Sequence, residues 1–480
     1  MKRVKLLLIG VFVIALAIPF GASAKTNGSE QLYSVLLKEH KITKEFKNEL
    51  KDLGVEIAYE VPEIGFLQVK ATGVEFHQLK QLGKVQAVNP AVTWTLPEEQ
   101  RIEANIQAED VNPEDAALWD LQWDIQRITN QGASYELGTG SHDVVVAVID
   151  TGIDRDHPDL VGNLVPGSKN FVPAGGFQGT EPTETGDPNA FDDRHGHGSH
   201  VAGSIAGNGA MLGVAPNTGI RAYRVFGTSS AESAWIFAAM VAAANDGSDV
   251  LSMSLGGFDI IGQTFYVDPV TGEKQNLGND VADFIAYKRA VQYATEKGAL
   301  VVVAAGNDSI DSGNKREVTD FLNREYGGDG YYFVGAGFNV PASIPGVVTV
   351  SATGPNDLLA NYSNYGASFV NIAAVGGDAR LYDQYAAEGR LNEYIANRLF
   401  EKEFNLSASE DGGWYWSIGT SMATPKVSAV AALLIDKYGK MEPNKLANLL
   451  YKVGVDPVKG TDKKYFGNGH LNAYRALGGN

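Results

Sequence analysis

Val144-Val145-Val146-Ala147-Val148-Ile149 runs directly into Asp150-Thr151-Gly152. Apolar, mostly β-branched residues without alternation describe a strand buried on both faces, which means a parallel sheet covered by helices on each side. Ala299 to Ala304 repeats the pattern, while Ser233 to Asn245 and Pro425 to Lys437 have the length and spacing of helices. Strands and helices alternate from Trp119 onward. The expected fold class is therefore α/β, a doubly wound and mostly parallel sheet whose sites lie beyond the carboxyl ends of its strands. Asp150 stands at such an end. Three stretches, 258 to 283, 308 to 339 and 375 to 413, are rich in Gly, Asp and Asn and read as surface insertions outside any compact element.

Upstream the pattern differs. Tyr33 to Leu37 is strand-like, Ile42 to Leu53 is helical, and Val55 to Tyr59 and Phe66 to Val69 alternate as strands do. Residues 74 to 82 suit a second helix, and Val85 to Val88 with Val92 to Leu96 a last strand region. The order β-α-β-β-α-β predicts a small α+β unit of the split-βαβ kind over residues 31 to 96. Residues 97 to 117, rich in Glu, Asp, Asn and Gln, read as an exposed linker. At the start, Lys2, Arg3 and Lys5 precede the apolar run Leu6 to Phe20 and the small-x-small site Ala22-Ser23-Ala24, the layout of an export signal. No second long apolar stretch appears, so no membrane attachment is expected after signal cleavage. With 39 Lys plus Arg against 57 Asp plus Glu, the formal charge is −18. Such a surface repels nucleic acid, and no basic stretch offers a DNA or RNA site. The chain contains no Cys, so a secreted, extracellular protein of this kind must rely on its core, on ions or on a high unfolding barrier.

Three short segments place a reactive side chain on constrained backbone. In the first, Asp150 ends a buried strand before a glycine turn. The second, His195-Gly196-His197-Gly198-Ser199-His200-Val201-Ala202-Gly203, has small residues that let a helix N-terminus pack closely against other backbone. The third, Gly419-Thr420-Ser421-Met422-Ala423-Thr424-Pro425, opens an apolar helix, with Pro425 expected in its first turn. A Ser at a helix N-terminus has backbone donors nearby for an oxyanion. An attacking hydroxyl needs a base to take its proton, and the base needs a carboxylate to fix its tautomer. Asp150, His197 and Ser421 supply those residue types in the order Asp, His, Ser. Zinc is the competing reading of the histidine-rich segment, because three of the chain's eight histidines lie within 195 to 200. No His-Glu-x-x-His helix accompanies them, and no metal is assigned.

These three segments resemble the signature motifs of the subtilases, the subtilisin-like serine proteases, and the similarity covers about residues 119 to 475. The resemblance implies a serine endopeptidase that hydrolyses peptide bonds through an acyl-enzyme at Ser421. Its substrate is a peptide or protein, and its chemistry requires no cofactor. Ala304-Ala305-Gly306-Asn307 resembles the segment whose Asn completes the oxyanion hole, which assigns Asn307 to that role with the Ser421 N–H. Ser254-Leu255-Gly256 resembles the strand that pairs with an extended substrate. With Ala305 and Gly306 it should wall the pocket for the residue before the cut, and Asp308 at the rim should favour Lys or Arg there. Family members are made with a propeptide that assists folding and then inhibits. This implies a signal peptide over 1–24, a propeptide over 25–100 acting as the chain's own partner, a linker over 101–118 and a peptidase domain over 119–480. A monomer is expected.

Ala222-Tyr223-Arg224-Val225-Phe226-Gly227, Ala243-Ala244-Asn245-Asp246-Gly247, Gly306-Asn307-Asp308 and Thr424-Pro425-Lys426-Val427-Ser428 resemble the lantibiotic leader peptidases more closely than degradative subtilisins. Function thus divides between extracellular protein degradation and dedicated leader-peptide removal. A reading from another class is a catalytically inactive, peptide-binding subtilase homologue, which fluorophosphonate labelling of an activated serine would separate. Many subtilases bind calcium in a loop after the histidine helix. Here Ser204 to Pro216 looks too short, and Asp159 alone makes a poor site, so structural calcium is left open and unassigned. Arg101 is the only basic residue between Lys84 and Arg127. A pocket that prefers basic side chains would place self-cleavage after Arg101, whereas linker length would place it near Leu96 or Pro97.

Overall fold

The computed structural model describes residues 30–96, 100–104, 106, 116–228 and 230–479, so the expected export signal lies outside the described residues. The N-terminal unit contains β1 (Gln31–Leu37), α1 (Lys44–Asp52), β2 (Glu56–Val61), β3 (Phe66–Ala71), α2 (Gly73–Leu79) and β4 (Val85–Pro90). Its antiparallel sheet has the order β2-β3-β1-β4, the split-βαβ arrangement. Thr43 caps α1 by accepting from the Phe46 N–H, and Thr72 and Glu75 form a reciprocal capping box on α2. One face of the sheet closes with Phe46, Leu50 and Leu79 of the two helices.

There follow β5 (Thr93–Thr95), β6 (Ile102–Glu103), α3 (Trp123–Thr129), β7 (Val145–Asp150), β8 (Lys169–Asn170), α4 (His197–Ala206) and β9 (Gly219–Arg224). Next come β10 (Ser230–Glu232), α5 (Ser233–Asn245), β11 (Val250–Met253), β12 (Gly257–Val267), β13 (Lys274–Gly278), α6 (Val281–Glu296) and β14 (Leu300–Ala304). After them are α7 (Lys315–Tyr326), β15 (Tyr331–Val340), β16 (Val347–Thr353), β17 (Ile372–Val375), α8 (Arg380–Ala387), α9 (Leu391–Ala396) and β18 (Asn405–Ala408). The chain continues through β19 (Trp414–Ser417), α10 (Thr420–Tyr438), α11 (Pro443–Val453), β20 (Val455–Pro457) and β21 (Gly469–Leu471).

Nine strands form one sheet in the order β20-β21-β17-β16-β14-β11-β7-β9-β8, and all neighbours are parallel except β20 and β21. Val146 and Val148 of β7 join the core under α4 and α10, while Ala147 and Ile149 join the core under α5 and α6. That is why the run carries no alternation. The chain leaves β7 for β9 on one side and β11 on the other, so a crevice opens at its carboxyl end. Asp150 is the residue there.

Gly257 to Tyr266 of β12 pairs with β15, and β12 also pairs with β13, so two of the three supposed insertions build a three-stranded ribbon. Val318, Phe321 and Leu322 of α7 pack on it. The third contains α8, α9 and β18. Partners so distant in sequence leave no local period to read. Helix α10 starts at Thr420, which puts Pro425 inside the helix and not in its first turn. The Ser421 carbonyl, deprived of a helical donor by that proline, accepts instead from Ser254 Oγ at 2.8 Å. Finally, the expected linker is partly built in: β6 pairs with β19, and Ala104 is buried with its N–H donating to the Trp414 carbonyl at 3.1 Å. Residues 107–115 lie outside the described residues.

The second face of the N-terminal sheet seats on α5 and α6. Leu36, Val61 and Phe66 share a core with Phe237 and Tyr287. Asn89 accepts from the Ala282 N–H and donates to Asp283, Gln68 donates to Glu232, and Arg289 donates to the Ile64 carbonyl.

Candidate active site

Asp150 and His197 meet because their backbones approach so closely. A Cβ on Gly198 would lie 2.1 Å from the Gly152 carbonyl oxygen, so only glycine fits between the end of β7 and the start of α4. His197 is the first residue of α4, and its Nδ1 lies 2.7 Å from Asp150 Oδ1. Both side chains are buried. Asp193 holds this turn. Its carboxylate accepts from the N–H groups of His195, Gly196 and Ser199 and from Ser199 Oγ at 2.7–3.0 Å. Burial alone would raise its pKa, yet these bonds outweigh burial and hold the group below the ordinary Asp value. Asp193 escaped the sequence reading, although an Asp just before a glycine-rich helix start is a capping signal.

Ser421 is the second residue of α10, whose N-terminus faces the same crevice, and its Oγ donates to the Ser254 carbonyl at 3.2 Å. Asn307 follows β14. Its Oδ1 accepts from both the N–H and the hydroxyl of Thr420 at 2.9 Å. That fixes the amide and leaves Nδ2 as the atom available to a ligand beside Ser421. Ser254, Leu255 and Gly256 line one side of a pocket at Ser421, with Gly306, Asn307 and Asp308 on the other. Ala305 does not line it, contrary to expectation. Its side chain points into the core and Ala304 takes its place in the wall. Asp308 Oδ2 accepts from Asn364 at 2.8 Å, and burial pushes its carboxyl up to about 6.

The N-terminal chain enters the same pocket. Thr93–Thr95 of β5 runs antiparallel to β10 and Leu96 lies in the pocket with Ser421. Arg101 lies elsewhere, against the His195 carbonyl. Asp159, the carboxylate nearest to a calcium-ligand position in the sequence, accepts from the N–H groups of Ala210 and Met211 and from Trp414 Nε1. Its carboxylate is thus engaged in pinning a turn. Among the described residues no cluster of three or more His, Asp or Glu is disposed to hold a metal.

A doubly wound sheet with a serine at one helix N-terminus, and with a histidine at another paired to a buried aspartate at a strand's carboxyl end, defines a serine peptidase of the subtilisin-like class. The chain belongs to the subtilase family, whose family model matches residues 141–469. It is 33% identical over 463 residues to the epidermin leader peptide-processing serine protease EpiP of Staphylococcus epidermidis, with 95% of each chain covered. It is 36% identical over 333 residues to the nisin leader peptide-processing serine protease NisP of Lactococcus lactis subsp. lactis, covering 69% of this chain and 46% of that one. The crystal structure of EpiP from Staphylococcus aureus matches with a TM-score of 0.80 at 34% identity, covering 94% of this chain and 98% of that one. Among the described residues no helix is long and apolar enough to cross a membrane.

Proposed function

We propose that this protein is an exported leader peptidase, made as a precursor that processes itself and working extracellularly on a peptide held as an extended strand. Ser421 Oγ attacks the scissile carbonyl while His197 takes its proton, and Asp150 holds the imidazole tautomer and the imidazolium that follows. Asn307 Nδ2 and the Ser421 N–H receive the developing oxyanion. His197 then returns the proton to the leaving amine, and water hydrolyses the acyl-enzyme by the same route in reverse. Asp308 favours a basic side chain before the cut in substrates that arrive from solution, whereas the tethered N-terminal chain presents Leu96 to the pocket at high effective concentration and is cut without that preference.

The observation that carries the self-processing reading is the path of residues 93–96, which lie along β10 and end in the pocket beside Ser421 as an extended substrate would. The N-terminal unit then acts as a propeptide that blocks the cleft until it is cut away. Leader removal is favoured over general degradation by the likeness, over nearly the whole chain, to a leader-processing protease.

Ser421→Ala is expected to leave the N-terminal unit covalently attached, as read by intact mass, while the parent shortens in pure form. An alanine variant that still shortens itself would refute self-processing. A cleavage profile on unfolded proteins beside leader-bearing lanthipeptide precursors separates the two substrate classes. Leader removal predicts one dominant cut in the precursor and few elsewhere.

A further inference from the structure

Arg101 is held by the peptidase body at the residues that lead into the catalytic helix. Its Nη1 donates to the His195 carbonyl at 3.0 Å, and its Nη2 donates to Ser409 Oγ and to the Glu410 carboxylate, each at 3.0 Å. Nε donates to the Glu103 carboxylate. The guanidinium carbon lies 4.0 Å from the centre of the Tyr415 ring, and that ring lies 4.7 Å from the ring of His200. His200 sits one turn beyond His197 on α4. A Cβ on Gly196 would fall 2.4 Å from Glu410 and 2.6 Å from Arg101, so the guanidinium is packed directly on the backbone before His197. Gly196 has a φ of +101°, the left-handed value at which the chain turns into α4.

The turn is therefore gripped from two sides. Asp193 takes the N–H groups of His195 and Gly196, and Arg101 takes the His195 carbonyl. A planar fork with an aromatic ring beneath it can satisfy a carbonyl, a hydroxyl and a carboxylate at fixed angles, which a lysine ammonium cannot. Downstream, pairing of β6 with β19 and burial of Ala104 tie the segment to the body. Upstream, only residues 97 to 100 separate Arg101 from Leu96 in the pocket.

We infer that Arg101 is a positioning residue of the mature peptidase, retained after processing, whose guanidinium fixes the His195–Gly196 backbone and through it the imidazole of His197. The maturation cut then falls before Arg101, between Leu96 and Arg101, and not after it. This rests on the reading of Asp150, His197 and Ser421 as a working peptidase centre.

The test uses mature enzyme produced from the full chain, with turnover expressed per serine titrated by a fluorophosphonate. N-terminal sequencing of the parent is expected to begin no later than Arg101. Arg101→Ala should lower kcat about tenfold or more with KM nearly unchanged, since a small misplacement of a reacting group costs up to about a hundredfold in rate. Added guanidinium ion, at concentrations that leave the parent unaffected, should restore turnover several-fold. Where Arg101→Ala accumulates poorly, Arg101→Lys, which keeps the charge and the strand, should give the same kcat-selective loss. A parent that fails to label or turn over would refute the peptidase reading itself. An active parent whose Arg101 variants keep full kcat, or whose mature chain begins at Ile102 or later, overturns only this inference.

Discussion

The Asp308 carboxylate accepts from Asn364 in a pocket whose other walls include the apolar side chains of Trp94, Leu96, Phe226, Leu255 and Phe258. Burial pushes its carboxyl up to about 6, the Asn364 bond pulls it back, and Glu325 adds to the rise. Above that pH the pocket carries a negative charge that favours Arg or Lys, and below it the same oxygen is neutral. Preference for a basic residue should therefore be present at pH 8 and fade as pH falls through about 6. The ratio of kcat/KM for Arg and Leu substrates is expected to fall severalfold between pH 8 and pH 5, and to be flat in Asp308→Ser. A parent ratio independent of pH would remove Asp308 from specificity. At this scale the residues legible in the sequence were those set on special backbone. His197 lies between Gly196 and Gly198, and Asp150 and Ser421 each stand two residues from a glycine of positive φ, Gly152 and Gly419. Asp193 and Arg101 were missed or misplaced because they bond main-chain atoms, and Arg101's lie far off in sequence. Ala305 was misplaced because a one-residue change of face moves a side chain from pocket to core.

Elements were legible where burial imposes a period. Strand β7 was read from its apolar run and α5 to the residue, whereas the β12–β15 ribbon was lost because its pairing is long-range and its faces mixed. The register of α10 was missed for a different reason. Its first turns are set by tertiary contacts, among them the Ser254 hydroxyl on the Ser421 carbonyl and a buried ion pair. Lys426 Nζ lies 2.8 Å from Asp124 Oδ2 on α3 and donates to the carbonyls of Val375 and Met422 at 3.0 Å. Burial lowers the Lys426 pKa and Asp124 partly restores it. Removing one partner strands a buried charge, so Lys426→Met or Asp124→Leu alone should cost about 3–5 kcal/mol. The double substitution should cost far less than the sum, because two apolar groups can fill the same space. Denaturant unfolding of inactive Ser421→Ala protein measures this without self-digestion. Additive losses would show that the pair does not act as a unit.

Across the whole molecule, the N-terminal unit covers the peptidase body at a face rich in carboxyls. Glu232, at the end of β10, accepts from Gln68, and Asp283, near the start of α6, accepts from Asn89. Both donors belong to the N-terminal unit, so its departure removes these two bonds and exposes both acids, leaving Asp283 with Ser233. While covered, Glu232 is pushed up to about 8 by burial, with Gln68 pulling it down and Asp283 adding to the rise. Burial likewise pushes Asp283 up to about 6 against the pull of Asn89, Ser34 and Ser233, and it raises Asp259 and Asp280 behind them. The Arg289 guanidinium at this face is turned to the Ile64 carbonyl and Gln86. The protonated carboxyls therefore favour the covered state. That contribution is full below the ordinary carboxylate range of about 4, and is lost as pH rises through the covered values. Between about pH 4 and 6 both groups weaken the seat, and from 6 to 8 Glu232 does so alone. Freshly processed protein should accordingly release its N-terminal unit about tenfold faster or more at pH 8 than at pH 5, as read by size-exclusion chromatography and the onset of activity. Glu232→Gln, neutral at every pH, should flatten the dependence above pH 6 and leave the lower limb to Asp283. Release that is equally fast at both values, or faster at pH 5, would show that these acids do not govern the seat.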